Sequence, residues 1–168
     1  MSRKKNWEKK KKFSKQKKTD KNKLKLKKRD LRELEKKGLV KEGLFIGNQK
    51  GFGFVELEDE EDDIFIPASA AGTAMHQDKV QVLLKAGNGG GKRREGAVIS
   101  IIERGTTEVV GTFQRERDYG FVLCDNQKYS KDIYIAAKNS KGVRDGDKVV
   151  AEIIDYGDER HKPEGRIK

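Results

Sequence analysis

The sequence predicts an all-β protein made of two tandem five-stranded barrels behind a lysine-rich arm, and three observations lead there. After residue 42 the chain breaks into short alternating apolar and polar runs separated by glycine, asparagine and acidic turns, the pattern of small antiparallel strands. The same succession of strands occurs twice. Before residue 43 the composition is of another kind, rich in lysine and almost without residues able to form a core.

The arm comes first. Residues 2–28 are of low complexity, with Trp7 and Phe13 isolated among lysines, so disorder is expected. Between 20 and 37 the leucines Leu24, Leu31 and Leu34, interleaved with Asp30, Glu33 and Glu35, predict a short basic helix that Gly38 ends. The 168 residues carry a formal charge of +11, unevenly spread. Residues 1–42 hold 20 Lys and Arg against 6 Asp and Glu, leaving 19 against 22 for the rest, so the folded part is slightly acidic. Long-range attraction to a polyanion therefore belongs to the arm, and the folded part must bind through stacking and local contacts.

The repeat defines the domains. Gly51-Phe52-Gly53-Phe54-Val55 recurs as Asp118-Tyr119-Gly120-Phe121-Val122, an offset of 67 residues. Asp63-Ile64-Phe65-Ile66 recurs as Asp132-Ile133-Tyr134-Ile135, and Asp78-Lys79-Val80 as Asp147-Lys148-Val149, both offset by 69. The first barrel is placed at 43–104 and the second at 105–168. The glycine-rich stretch 86–92 lacks the spacing and the hydroxyl residue of a phosphate-binding loop and reads as a flexible connection. It leads into Glu95-Gly96-Ala97-Val98, the last strand of the first barrel, whose opening returns as Glu164-Gly165-Arg166-Ile167 just before the final Lys168. The second barrel is thus expected to be truncated within its last strand, with a frayed end, and the chain to be a fragment of a longer protein.

In a strand alternate side chains share a face, so Phe52 and Phe54 point away from the side that Val55 takes. In the neighbouring strand Ile64 and Ile66 fill the interior, which leaves Phe65 outside beside them. The second copy offers Tyr119, Phe121 and Tyr134 at the same positions. Three aromatics on one exposed face suit the stacking of unpaired bases, each stack contributing roughly 1–3 kcal/mol. Lys50, Arg115 and Arg117 lie in the adjoining turns, where they are candidates for phosphate pairing.

Lys50-Gly51-Phe52-Gly53-Phe54-Val55 followed by Asp63-Ile64-Phe65-Ile66 resembles the paired ribonucleoprotein-type motifs of cold-shock domains. Two such domains in tandem, with Val110-Gly111-Thr112-Phe113 opening the second, are similar to the N-terminal half of the ribonuclease II/R exoribonucleases. The resemblance spans roughly residues 43–168 and implies OB-fold barrels that gather RNA for a catalytic domain and an S1-type barrel, neither of which these residues contain. It also makes Phe45 an RNA-binding candidate, because cold-shock proteins carry a tryptophan there; the 67-residue offset gives Thr112 as its counterpart. Single cold-shock proteins usually have a histidine after the second motif, where this chain has Pro67 and Ala136, and Asp118 replaces Gly51. Weaker RNA binding by the second barrel follows. The acidic run from Glu56 to Asp63 is expected to repel phosphates along its own edge.

No catalytic residue is assigned. The carboxylates cluster in loops, His76 and His161 lack partners at metal-ligand spacing, and Cys124, the only cysteine, has no histidine partner in the sequence pattern. No metal and no cofactor are expected in this chain; the family's Mg2+ belongs to its catalytic domain. A lone cysteine and the absence of a long apolar run place the protein in the cytoplasm, off the membrane. The expected function is single-stranded RNA binding by a chain that is not itself an enzyme and is monomeric, with the ribosome or RNA-degradation machinery as further partners of the arm. The alternatives are a self-standing cold-shock RNA chaperone and a protein-interaction adaptor.

Overall fold

The computed structural model describes residues 27–86 and 93–168. The disorder expected of residues 1–26 and the flexibility expected of the glycine-rich connection lie outside the described residues. Of the predicted helix, the described part is α1 (Lys28–Lys36), with Asp30 in its first turn and Lys36 in its last, both placed to complement the helix dipole. Gly38 adopts φ +73° just beyond its end and its N–H donates to the Glu35 carbonyl, a stop that only a residue at ease in the left-handed region makes without strain. Leu31 and Leu34 are half-buried, and the helix packs on the first strand.

Among the described residues ten strands follow in two sets of five. The first set is β1 (Val40–Gly47), β2 (Gly53–Glu56), β3 (Ile64–Ile66), β4 (Lys79–Leu84) and β5 (Gly96–Glu103). The second is β6 (Glu108–Arg115), β7 (Gly120–Cys124), β8 (Ile133–Ile135), β9 (Lys148–Asp155) and β10 (Glu164–Ile167). Pairing begins at Val40, ahead of the expected boundary at residue 43. Strand order is β3-β2-β1-β4-β5 in the first sheet and β10-β8-β7-β6-β9 in the second. Alternation puts Phe45, Val55, Ile64, Ile66, Val80 and Val82 in one core and Phe113, Val122, Ile133, Ile135, Ala151 and Ile153 in the other. At Gly53 and Gly120 a Cβ would overlap the rings of Phe45 and Phe113, so each glycine makes room for the largest side chain of its core.

Closure differs from expectation. The second sheet, expected to fray at its last strand, is a closed barrel: Glu164 and Gly165 pair in parallel with Tyr134 and Ile135, and β10 also pairs with β9 as far as Ile167. The last strand is indeed short, four residues against eight in β5. It suffices because only the first residues after the loop bridge to the third strand of the barrel. The first sheet is curled, and its edges meet at a single parallel bridge between Phe65 and Glu95, with Phe65 N–H donating to the Arg94 carbonyl over 2.8 Å.

The two units are joined through buried polar contacts. Asp78 is fully buried and accepts hydrogen bonds from the N–H groups of Met75 (2.8 Å) and Gly105 (2.9 Å) and from the Arg104 guanidinium (2.8 Å). Arg104 also donates to the carbonyl and hydroxyl of Thr73 and lies 3.9 Å over the Tyr156 ring of the second barrel. Thr106 bonds to the His76 carbonyl and the Tyr129 hydroxyl, each over 2.7 Å, and its carbonyl accepts from Tyr156. Met75 is buried in the second barrel's core although the first unit supplies it.

Candidate functional site

β2 and β3 bring three aromatic rings together because Phe54 faces Phe65 directly across the ladder and Phe52, just ahead of β2 and two residues before Phe54, falls on the same side. Their centroids are 6.1 Å (Phe52–Phe54), 5.8 Å (Phe52–Phe65) and 5.5 Å (Phe54–Phe65) apart. In the second barrel Phe121 faces Tyr134 in the same register, and the corresponding separations for Tyr119, Phe121 and Tyr134 are 6.0, 5.7 and 5.7 Å. Interplanar angles agree as well: 89°, 45° and 58° in the first triad, 85°, 40° and 64° in the second. All six rings are half-buried and pack on one another at tilted to edge-on angles, while Val55, Ile64, Ile66, Val122, Ile133 and Ile135 point into the cores. A groove of about 450 Å³ runs beside Phe121 and Tyr134, its other wall built by Gly157, Arg160, His161 and Lys162.

Comparison with known proteins agrees with this architecture. Residues 43–101 match the model of the ribonuclease B OB domain and residues 121–168 that of the cold shock domain. Ribonuclease R of Thermotoga maritima is 33% identical over 128 residues, covering 76% of this chain and 18% of the relative. Ribonuclease R of Escherichia coli is 32% identical over 133 residues, covering 79% and 16%. These barrels are the OB and cold-shock domains of the ribonuclease R family. The chain spans less than a fifth of the length of those ribonuclease R relatives. Among solved structures, RNase R of Mycoplasma genitalium in complex with ribose methylated single-stranded RNA has the same fold, with TM-score 0.65, 16% identity and coverage of 76% of this chain and 21% of that one. So does yeast Ssd1, a pseudonuclease, at TM-score 0.66 and 15% identity, covering 85% of this chain and 24% of that one.

Within this ribonuclease R-type pair, the other residues singled out from the sequence fall into two groups. Lys50 and Arg117 are exposed in the turns that precede the triads. Phe45 and Arg115 are structural. Phe45 is 2% exposed and fills the first core beneath Gly53, so it offers no face to a base. Its counterpart is not Thr112 but Phe113, also fully buried, because Phe45 pairs with Val55 as Phe113 pairs with Val122. The Arg115 guanidinium is committed to the carbonyls of Asp118 (3.0 Å), Ser140 (3.1 Å) and Val143 (2.8 Å), and it clamps the turn rather than projecting from it. In the acidic loop Glu60 pairs with Arg94 (3.1 Å) and Lys41 (3.7 Å), which offsets part of the charge expected to repel phosphates.

Two basic residues that sequence reasoning passed over lie on the triads themselves. Arg93 places its guanidinium 4.1 Å over the Phe65 ring and 5.7 Å from that of Phe54, and Lys162 sits 5.2 Å over Phe121. Each stands two residues before the repeated Glu-Gly pair, so extending the repeat backward from Glu95-Gly96 and Glu164-Gly165 would have aligned them.

Among the described residues no group of His, Cys, Asp and Glu is placed to hold a metal ion. His76 accepts a hydrogen bond at Nδ1 from Gly47 N–H (3.2 Å) and stands edge-on to Tyr129. Burial, followed by the nearby Lys128 ammonium, lowers its pKa from the ordinary value, Glu56 opposing. Burial, with Asp132 and Asp125 adding to it, pushes the Cys124 thiol up to about 11, which keeps it protonated and unreactive at neutral pH. No helix among the described residues is long and apolar enough to cross a membrane.

Proposed function

We propose that this chain binds single-stranded RNA by stacking bases on its two aromatic triads, as the RNA-capturing part of a ribonuclease R-like 3′-to-5′ exoribonuclease. The observation that carries the reading is the reproduction of one three-ring arrangement, to within about 0.2 Å in every centroid separation, on the same outward face of both barrels. Core packing does not require it, since Phe45 and Phe113 already fill the interiors. Half-buried rings that hold one another in place are pre-ordered for flat ligands at little entropic cost, and stacking accepts every base. The complex of M. genitalium RNase R with single-stranded RNA supports the same choice of ligand.

In this reading the +14 of residues 1–42 raises the encounter rate and the triads hold the strand. Binding needs no metal or cofactor, and the chain acts in the cytoplasm as a monomer. The test is a fluorescence-anisotropy titration of a short unstructured RNA with the parent chain and with Phe52→Ala/Phe54→Ala/Phe65→Ala. More than about tenfold weaker binding by the variant is expected, one lost stack being worth at least that at the middle of the range. Unchanged binding would refute the platform and leave the lysine-rich arm, or a protein partner, as the basis of function.

A further inference from the structure

Arg93 and Lys162 occupy equivalent places in the two units, and the backbone explains why. The residue after each, Arg94 or Pro163, accepts a 2.8 Å hydrogen bond at its carbonyl from the N–H of the third ring of the triad, Phe65 or Tyr134. The side chain just before that anchor is thereby aimed over the rings in both barrels, whatever the length of the preceding loop. Both positions hold a long cation over a ring of the triad, Arg93 over Phe65 and Lys162 over Phe121, so each covers a ring face on which a base could stack. A cation and a base cannot share one ring face, so an arriving nucleotide must move the cation aside. The phosphate of that nucleotide then becomes an anion within its reach.

We propose that Arg93 and Lys162 are the phosphate-pairing cations of the two triads, resting on the rings in the free chain and passing to the RNA backbone when a base stacks. The inference rests on the platform reading above. The two cations are not equivalent. Lys162 lies 3.7 Å from Asp132, a carboxylate that competes with phosphate, whereas Arg93 has no carboxylate at ion-pair distance among the described residues. Arg93 is therefore the stronger of the two, and its planar guanidinium can also remain stacked against the displaced edge of the base.

The salt dependence of binding tests this, because each phosphate neutralised in a single strand contributes about 0.7 to the slope of log K against log salt. Full-length R93Q, K162Q and the double variant, with R93K and Arg117→Gln for comparison, are titrated with an oligouridylate from low to moderate salt, beside the Phe52→Ala/Phe54→Ala/Phe65→Ala chain. R93Q is expected to reduce the slope by about 0.7 and the double variant by up to twice that, while R93K keeps the parent slope. An R93Q slope equal to the parent's, or tighter binding once the cation is gone, overturns the proposal, since the cation would then only shield the rings. If the triple aromatic variant loses affinity while R93Q keeps its slope, the cation assignment alone fails. If the triple variant binds as the parent does, the platform itself fails.

Discussion

The two barrels of this chain share their ring geometry and differ in charge and in what surrounds it. Phe52, Phe54 and Phe65 have Gly51 in the preceding turn and Arg93 above them; Tyr119, Phe121 and Tyr134 have Asp118 in the turn and a lysine partly claimed by Asp132. An added carboxylate and a competed cation both disfavour a phosphate, so equal platforms do not make equal sites. The same contrast appears at the joint. Asp78 and Asp147 stand at equivalent turns and each accepts an N–H from three residues back, from Met75 and Arg144 respectively. Asp78 is buried under Arg104 and Gly105, where the chain passes to the second barrel, whereas Asp147 is exposed. A repeated residue can thus be a local turn former in one copy and the keystone between domains in the other.

The largest expected effects come from the rings in the cores. Phe45→Ala and Phe113→Ala each remove a buried phenylalanine and should lower unfolding stability by about 3–5 kcal/mol in urea titrations. For Phe45 the sharper outcome is that RNA affinity measured well below the unfolding midpoint stays near the parent's, since that ring faces no ligand. Asp78→Ala strips three hydrogen bonds and leaves the partly covered Arg104 without its anion, a cost of about 2–3 kcal/mol, discounted because Arg104 retains some solvent. Asp147→Ala should cost about 1 kcal/mol or less. Equal losses at the two aspartates would deny that the joint depends on Asp78.

On RNA, Tyr119→Ala/Phe121→Ala/Tyr134→Ala should weaken binding less than the matching change in the first barrel. The reverse order in anisotropy titrations would break the ranking drawn from Asp118 and Asp132. The smallest effect concerns pH. His76 has a folded pKa below its ordinary value, so the unfolded chain takes up the proton first as pH falls below about 6.5. Stability is then full above that pH and declines as acid is added until the folded histidine also protonates. His76→Gln should lessen this acid-side decline in the thermal midpoint, and an unaltered profile would show that the burial of His76 beside Lys128 does not couple its protonation to folding.

Much of the fold was legible because strand alternation and a repeat are both one-dimensional signals. The outward placement of Phe54 and Phe65 follows from the buried neighbours Val55, Ile64 and Ile66 alone. What escaped depended on small shifts in register or on distant pairs. Thr112 was matched to Phe45 because the offset of the aromatic motif was carried into β6, but the turn before Tyr119 is one residue shorter than that before Phe52, and Phe113 is the true counterpart. Closure of the second barrel looked doubtful from strand length, yet it depends on Glu164 and Gly165 rather than on the length of β10. The burial of Asp78 needs Arg104, 26 residues away at the end of the same unit, which no local pattern encodes.

The central claim, that bases stack on the triads, is tested most directly by NMR with aromatic-labelled protein and a short oligouridylate. The account predicts upfield ring-current shifts of the uracil protons and intermolecular NOEs to Phe52, Phe54 and Phe65, with weaker ones to Tyr119, Phe121 and Tyr134. Saturable binding without any uracil contact to these six rings would contradict it.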